Sequence, residues 1–409
     1  MLSVGPGPTR KPTSERVLVV GGGVTGLTTA WALLDAGYNV TVVSECWANL
    51  QHRITSQIAG ALWEWPPAVC GRHTDVISLE HSKGWAMTSY HVFEVLMRIF
   101  TAEVHGVRVR RANFFFDRPL ENIPDQYQKM QEISRCGVTG FNRDPTLITK
   151  HAVNQEAGVI DSYCHDAPVI DTDHYMIWLR ALVEAKGAEL ITARVSGDLL
   201  TQEDELLAKY RASAIVNATG LDAWETADDK TVYPLRGALI RVVNDGTKFP
   251  KVTEALAVGI DDAHREGQDL VFIVPRNDNI LILGGIAQPR EWNLDLTLDS
   301  PEIVRMRERC NHFVPGLANA DYDPSAPFVQ GNRPTRGQNV RVERESRLRK
   351  DGKPSRIVHS YGQGGSGFSL SFGCAGDVLG LVKEVAEGKK AVTMSGRLPA
   401  ERTAAVARL

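Results

Sequence analysis

Residues 16–26 read Arg16-Val-Leu-Val-Val-Gly-Gly-Gly-Val-Thr-Gly26. Val17 to Val20 form an apolar run of the kind that fills a buried parallel strand, and Gly21, Gly23 and Gly26 follow in G-x-G-x-x-G spacing. Beyond them Leu27, Ala30, Trp31, Leu33 and Leu34 recur at helical spacing until Gly37 ends the run. A second apolar strand, Val40 to Val43, comes next, with Glu45 just past its end. Strand, glycine turn, helix and strand make a complete βαβ unit. Gly21 permits the tight turn, Gly23 lets backbone approach a pyrophosphate, and Gly26 lets helix and strand pack closely. The helix start offers free N–H groups and a positive dipole end to phosphates, and the acid after the second strand is placed for a ribose hydroxyl. The stretch predicts an α/β fold with a dinucleotide site at its first turn.

The rest of the chain bounds what surrounds that unit. At 409 residues it is long enough for two lobes. A net charge of −3 carries no polyelectrolyte signal and argues against a nucleic-acid partner. The six cysteines (46, 70, 136, 164, 310 and 374) are scattered without a C-x-x-C pair, so we expect reduced thiols, an intracellular setting and no metal site. No apolar run approaches the ~20 residues of a membrane span, so no membrane partner is expected. Residues 1–14, rich in Gly, Pro and Ser, read as a loose arm. The terminal Ala407-Arg408-Leu409 approximates the S-K-L peroxisomal address; a eukaryotic source would make the protein peroxisomal, and otherwise cytoplasmic.

Gln51 to Trp65 is a polar loop carrying the hydroxyls of Thr55 and Ser56, with Gly60-Ala61 free to approach something flat. Residues 74–104 read as a helix, Val107 to Phe116 as a strand, and 117–165 as turns and short helical pieces. A strand ends at Val169-Ile170, and Tyr175 to Lys186 reads as a helix with Ile177, Leu179, Leu182 and Val183 inward. Glu189 to Val195 and Ala214 to Asn217 are strands, the latter running into Ala218-Thr-Gly220 where open α/β sheets bind ligands. From 231 to 290 the pattern is β-rich. Asp269 to Pro275 and Ile280 to Gly285 make a hairpin, and polar Gly259 to Gln268 reads as a flap beside a small-molecule pocket. Residues 301–314 read as a helix. Ile357 to Tyr361 then runs into Gly362-Gln-Gly-Gly-Ser-Gly367 and a closing helix, a second glycine turn for another part of the same cofactor.

Taken together, Val19 to Gly26, Ala59-Gly-Ala-Leu-Trp63, Val216-Asn-Ala-Thr-Gly220, Leu235-Arg-Gly237, Leu283-Gly-Gly285, Gly331-Asn-Arg-Pro334, Arg341 to Glu345 and Tyr361 to Gly367 resemble the flavin-dependent D-amino-acid oxidases, in family order and near-family spacing. The resemblance implies noncovalent FAD. It implies that Gly21, Gly22, Gly23, Val24, Thr25 and Gly26 hold the pyrophosphate and that Glu45 holds the adenosine ribose. Thr55 and Ser56 match hydroxyl contacts to the phosphate and ribityl region, and Val195 matches a backbone contact to adenine. Gly60, Ala61 and Leu62 match backbone contacts beside the isoalloxazine. Gly364, Gly365, Gly367, Phe368 and Ser369 match the loop at the pyrimidine end of the flavin, where a helix start stabilises the negative charge that reduction brings. Arg333, inside Gly-x-Arg-Pro, matches the arginine that clamps the substrate carboxylate at two points, a geometry lysine cannot supply.

The chain departs from the family at its pocket. The two tyrosine positions read as Phe272 in the strand and Gln268 in the flap, so both phenol hydroxyls are missing. Ala287 stands near the place where oxidases of acidic substrates tend to carry an arginine, and Gln363 replaces a usual histidine. With Arg333, Phe272 and Gln268 as the substrate-facing set, the expected reaction is oxidation of a neutral D-amino acid by dioxygen to the keto acid, ammonia and hydrogen peroxide. A glycine or secondary-amine oxidase or dehydrogenase of the wider flavin group, and a flavoprotein without turnover, stay open, as does a homodimer. The expected architecture is a Rossmann-like FAD-binding domain (15–65, 166–228 and 325–395) interleaved with a mixed β-sheet substrate domain (66–165 and 229–324), with a tail at 396–409.

Overall fold

The computed structural model describes residues 2–7, 13–68, 73–258 and 270–396. Two sheets organise it. Across the first, the strands lie in the order Arg341–Arg344, Ile357–Tyr361, Ala214–Asn217, Arg16–Val20, Asn39–Ser44 and Glu189–Thr192. All neighbours are parallel except the outermost pair, Arg341–Arg344 with Ile357–Tyr361. Arg16–Val20 has its immediate sequence successor on one side and a strand from much later in the chain on the other. The crevice at its C-terminal end is therefore the topological switch point at which such sheets take ligands.

The helix after the first glycine turn, Val24–Asp35, is buried almost all round, because it lies between that sheet and other helices. The closing helix, Gly367–Ala386, packs against it and against Val76–Ile99. Trp31 anchors this layer, meeting Phe372 and Trp178 edge-to-face at 5.5 and 5.8 Å. Its indole N–H donates to Asp35 at 2.8 Å, and Asp35 pairs with the equally buried Lys186 at 2.7 Å. By length and composition Gly364–Ala386 could cross a membrane, contrary to the sequence expectation. In the fold 67% of its apolar window is buried, as in a core helix.

The second sheet is mixed and nine-stranded. It runs Gln288–Pro289, Val232–Val243, Ile280–Gly284, Phe272–Pro275, Ala255–Val258, Val107–Phe116, Asp161–Ile170 and Asn142–Arg143, with Phe328–Arg336 paired along Val232–Val243. The expected hairpin around Arg276 to Asn279 forms, with Phe272 opposite Gly284. Asp161–Ile170 begins inside the segment read as turns, and the expected domain boundary at 165/166 falls within it. Its polar letters hide it: Asp161 is buried against Arg143 at 2.5 Å, and the buried Ser162 hydroxyl donates to the Asp144 carbonyl at 2.7 Å. Likewise the strand that carries Arg333 belongs to this sheet and not to the first. On the helix Thr172–Ala185, Leu179, Leu182 and Val183 face inward as expected, but Ile177 is 44% exposed. Five cysteines are free thiols; Cys70, the flap at 259–268 and the terminal tripeptide lie outside the described residues.

The crossing of the closing helix over Val76–Ile99 leaves no room for a side chain at Gly373. A Cβ there would overlap the backbone of Trp85. Gly373→Ala should therefore cost about 3 kcal/mol by forcing the two helices apart. A urea midpoint equal to that of the parent protein would show the crossing to be looser than described.

Candidate active site

Both glycine turns open onto one cavity of about 460 Å³. Gly21, Gly22, Gly23, Val24 and Thr25 form one wall, Gly364, Gly365, Gly367 and Phe368 another. Glu45, Thr55, Ser56 and Val195 line it too, whereas Gly60, Ala61, Leu62 and Ser369, expected at the same cofactor, line a neighbouring cavity. Gly21, at φ 120°, sits so close to the neighbouring strand that a Cβ would overlap the Ala218 carbonyl. Gly26 does not line the cavity, which corrects its assignment as a cofactor contact. It receives the Gly21 carbonyl where a side chain would be, and acts by letting the helix close on the turn. The helix start is also less open than the sequence implied. The N–H of Gly22 donates to Ser44 Oγ at 3.2 Å, and that of Val24 donates to Ser56 Oγ at 3.0 Å. Accepting this bond leaves the Ser56 proton available to donate toward an anion in the cavity. Glu45 is exposed and has Arg194 Nη1 at 3.4 Å, a neighbour no motif announced.

From this cavity Ala59 to Trp63 crosses toward the second sheet. The crossing is held like a short strand: Ile170 N–H donates to the Ala61 carbonyl at 3.0 Å and Trp63 N–H to the Pro168 carbonyl at 2.9 Å. Ala61 has φ 51°, a left-handed conformation costly for a residue with a side chain. Arg276 keeps it in place. Its guanidinium, 2% exposed, donates through Nη1 to the Ile170 carbonyl and through Nη2 to the Ala59 carbonyl, each at 2.6 Å. Burial lowers its pKa to about 10, which still leaves it protonated at neutral pH. One turn earlier, Asp173 accepts from Arg53 at 3.0 Å, from Gln57 at 3.0 Å and from Arg241 at 3.2 Å. This carboxylate, on the helix Thr172–Ala185, ties the Thr55–Ile58 turn to that helix and to the second sheet. Neither Arg276 nor Asp173 was foreseen; the available signal was a charged residue next to an otherwise apolar strand.

A second cavity, of about 340 Å³, lies beyond the crossing. Gly60, Ala61, Leu62 and Ser369 form its near wall, and Arg333, Leu239 and Gly365 line both cavities. The floor is a row in register across three strands, Phe114, Ala257 and Phe272. The Phe272 ring is seated on Gly60, where a Cβ would come within 2.7 Å of it. Among the lining residues the sequence reading missed two ion pairs, Lys83 with Glu132 at 2.9 Å and Lys129 with Glu64 at 2.8 Å. Lys83, Lys129 and Glu132 come from helix surfaces that carry no motif, and Glu64 from the loop just past the crossing. Gln268 lies outside the described residues. Arg333 is half-buried on the boundary between the cavities. Its Nη1 donates to the Ile286 carbonyl at 3.1 Å, and no carboxylate among the described residues pairs with it.

The first cavity fits a dinucleotide. It has side-chain-free turns at both ends of its span, an acid past the second strand, and hydroxyls and helix starts between them. Compared with known proteins, residues 16–379 match the family model described as FAD dependent oxidoreductase. A D-amino acid oxidase of Dugesia ryukyuensis is 30% identical over 184 residues, 44% of this chain and about half (49%) of that protein. A D-amino-acid oxidase of Streptomyces coelicolor is 29% identical over 335 residues, 80% of this chain and 85% of that protein. Among solved structures, a glycine oxidase from Geobacillus kaustophilus has the same fold, with a TM-score of 0.67 at 16% identity, over 93% of this chain and 97% of that one.

Asp173→Asn would leave Arg53 and Arg241 facing a neutral amide. We expect a stability loss of about 3 kcal/mol together with weaker dinucleotide binding, because the Thr55–Ile58 turn loses its anchor. Urea unfolding and titration of the apoprotein with FAD would check both parts. A loss of stability with undiminished affinity would separate the turn from the site.

Proposed function

The chain belongs to the FAD dependent oxidoreductase family, and from that membership we propose that it catalyses the oxidative deamination of a neutral D-amino acid to the keto acid, ammonia and hydrogen peroxide, with FAD held noncovalently and dioxygen as the electron acceptor. One observation carries the reading: the guanidinium of Arg333 stands between the two cavities with a single hydrogen bond and no carboxylate partner among the described residues. A charge so placed is stabilised by a bound carboxylate, which it can grip through two parallel N–H donors.

FAD, when bound, supplies the acceptor for the hydride equivalent that leaves the substrate Cα. The protein's own part is positioning. Arg333 fixes the carboxylate and thereby the direction of the Cα–H bond. The row Phe114, Ala257 and Phe272 covers the side chain with apolar surface and keeps water from that face. Among the described residues no histidine lines either cavity, so none of them offers an imidazole to the proton of the substrate amine. Lys83 and Lys129, the other cations of the second cavity, are already paired with glutamates, so an acidic side chain meets no free positive charge among the described residues. That supports a neutral substrate. The handedness is supported by the two D-amino-acid oxidases that the chain is similar to. Cys374 is buried in the closing helix and lines neither cavity, which supports a flavin held without a covalent bond.

Arg333→Ala should lower kcat/KM by at least ~30-fold, or about 2 kcal/mol, with FAD still bound, and Arg333→Lys should recover only part of the loss. The measurement is anaerobic bleaching of the flavin across paired D- and L-amino acids, followed by peroxide release in air. Bleaching by L-amino acids or by glycine alone would replace the proposed substrate, and unchanged kinetics in Arg333→Ala would remove the carboxylate role.

A further inference from the structure

We propose that Gly237 is a positioning residue. By lacking a side chain it makes the slot in which the Arg333 guanidinium lies, and so sets the direction in which that guanidinium offers its donors. The inference rests on the reading of Arg333 as the carboxylate-binding group.

The register makes the slot visible. Phe328–Arg336 pairs antiparallel with Val232–Val243, Arg333 opposite Leu235 and Gly331 opposite Gly237. Opposite residues share a face of the sheet, and so do residues two apart along a strand. Arg333, Leu235, Gly237 and Gly331 therefore lie on one face, with two adjacent glycines beside the arginine. The arginine leans across this bare patch. A Cβ built on Gly237 would overlap Cζ, Nη1 and Nη2 of Arg333 at once. The guanidinium thus rests on the Gly237 backbone, and its Nη1 is pinned by the Ile286 carbonyl at 3.1 Å. Leu239, the next residue on that face, lines both cavities together with Arg333. The three atoms nearest to a methyl group at Gly237 would all belong to the far end of the flexible Arg333 side chain. The strand pair can stay as it is while the guanidinium moves out of line. Gly331 supplies an internal contrast: a Cβ there would come within 2.9 Å of Ile58, which lines the cofactor cavity, and would leave Arg333 alone.

The test uses the full-length, FAD-loaded enzyme and phenylacetate, a carboxylate with an apolar body and no amine to oxidise. Its binding is followed by the change in flavin absorbance, and FAD affinity by titration of each apoprotein. Gly237→Ala should weaken phenylacetate at least about tenfold while FAD affinity stays within about twofold. Gly331→Ala should do the reverse. Arg333→Ala should weaken phenylacetate by about 30-fold, and the double variant Gly237→Ala/Arg333→Ala should be no weaker than Arg333→Ala alone, since the second change has nothing left to displace. Phenylacetate affinity within about twofold of the parent in Gly237→Ala, or losses that add in the double variant, would overturn the slot. If Gly237→Ala does not fold, the same change should fold once Arg333 is alanine, and equal failure in both backgrounds also overturns it. Phenylacetate binding unaffected in Arg333→Ala would instead defeat the carboxylate reading itself, a result visible in that single variant.

Discussion

The cofactor cavity depends on backbone meeting backbone at one turn. The Gly21 residue lies against the Ala218 carbonyl on one side, and its own carbonyl fills the place of a side chain at Gly26 on the other. Strand, helix and neighbouring strand are therefore joined with nothing between them but main chain. The consequence is spatial. Because no side chain stands at the C-terminal edge of Arg16–Val20, the helix start, the serine hydroxyls and the later glycine turn can all face one space. A methyl group at either glycine would have to move the helix or the strand, and the remaining contacts would lose alignment with it.

What sets the second cavity against the first is a different kind of constraint, the placement of charge. Asp173 is shared by Arg53 and Arg241, and Arg241 also pairs with Asp323 at 2.9 Å. Lys83 and Lys129 have their glutamates. Arg276 has two carbonyls at hydrogen-bond distance. These cations have partners within the protein, as desolvation demands, Arg276 through both Nη atoms although its buried Nε has none. Arg333 differs from all of them, since its donors face the boundary between the cavities with one carbonyl engaged. This contrast, which makes no reference to any motif, is what supports the proposed role of Arg333 toward a ligand.

How far the sequence could be read follows the same division. The glycine turns were legible because their spacing, between an apolar strand and a helical repeat, has one physical use; Thr55, Ser56 and Val195, which line the first cavity with them, were expected only from the family resemblance, and Gly60, Ala61, Leu62 and Ser369 line the second cavity instead. The hairpin at Arg276 to Asn279 was legible from its alternation and turn residues. Arg333 stood out through its setting between Gly331 and Pro334, and the structure brings it to the boundary of both cavities. Elements whose signal was polar were not legible. The first half of Asp161–Ile170, up to His165, reads as turns because Asp161, Ser162 and His165 are polar residues buried inside a strand. Likewise, nothing in the local pattern says that Val24 N–H is held by a serine 32 residues later, or that Asp173 will meet Arg241 across 68. These are long-range pairings, and periodicity reports only which face of an element is buried.

Phe272 shows how a lost polar group can be absorbed by packing. A phenol at this position would need a partner for its hydroxyl when buried. The phenylalanine instead lays its ring on Gly60, in line with Ala257 and Phe114 across the sheet. That places the crossing at Ala59 to Leu62 and the pocket floor in direct contact, so the crossing is gripped from both sides, by the Arg276 guanidinium and by the Phe272 ring. On the proposed reading, orientation of a bound amino acid falls to Arg333, which has no carboxylate partner among the described residues, and affinity for the rest of the molecule scales with the apolar area it covers. A pocket built this way holds one end of its ligand by geometry and leaves the other end to shape.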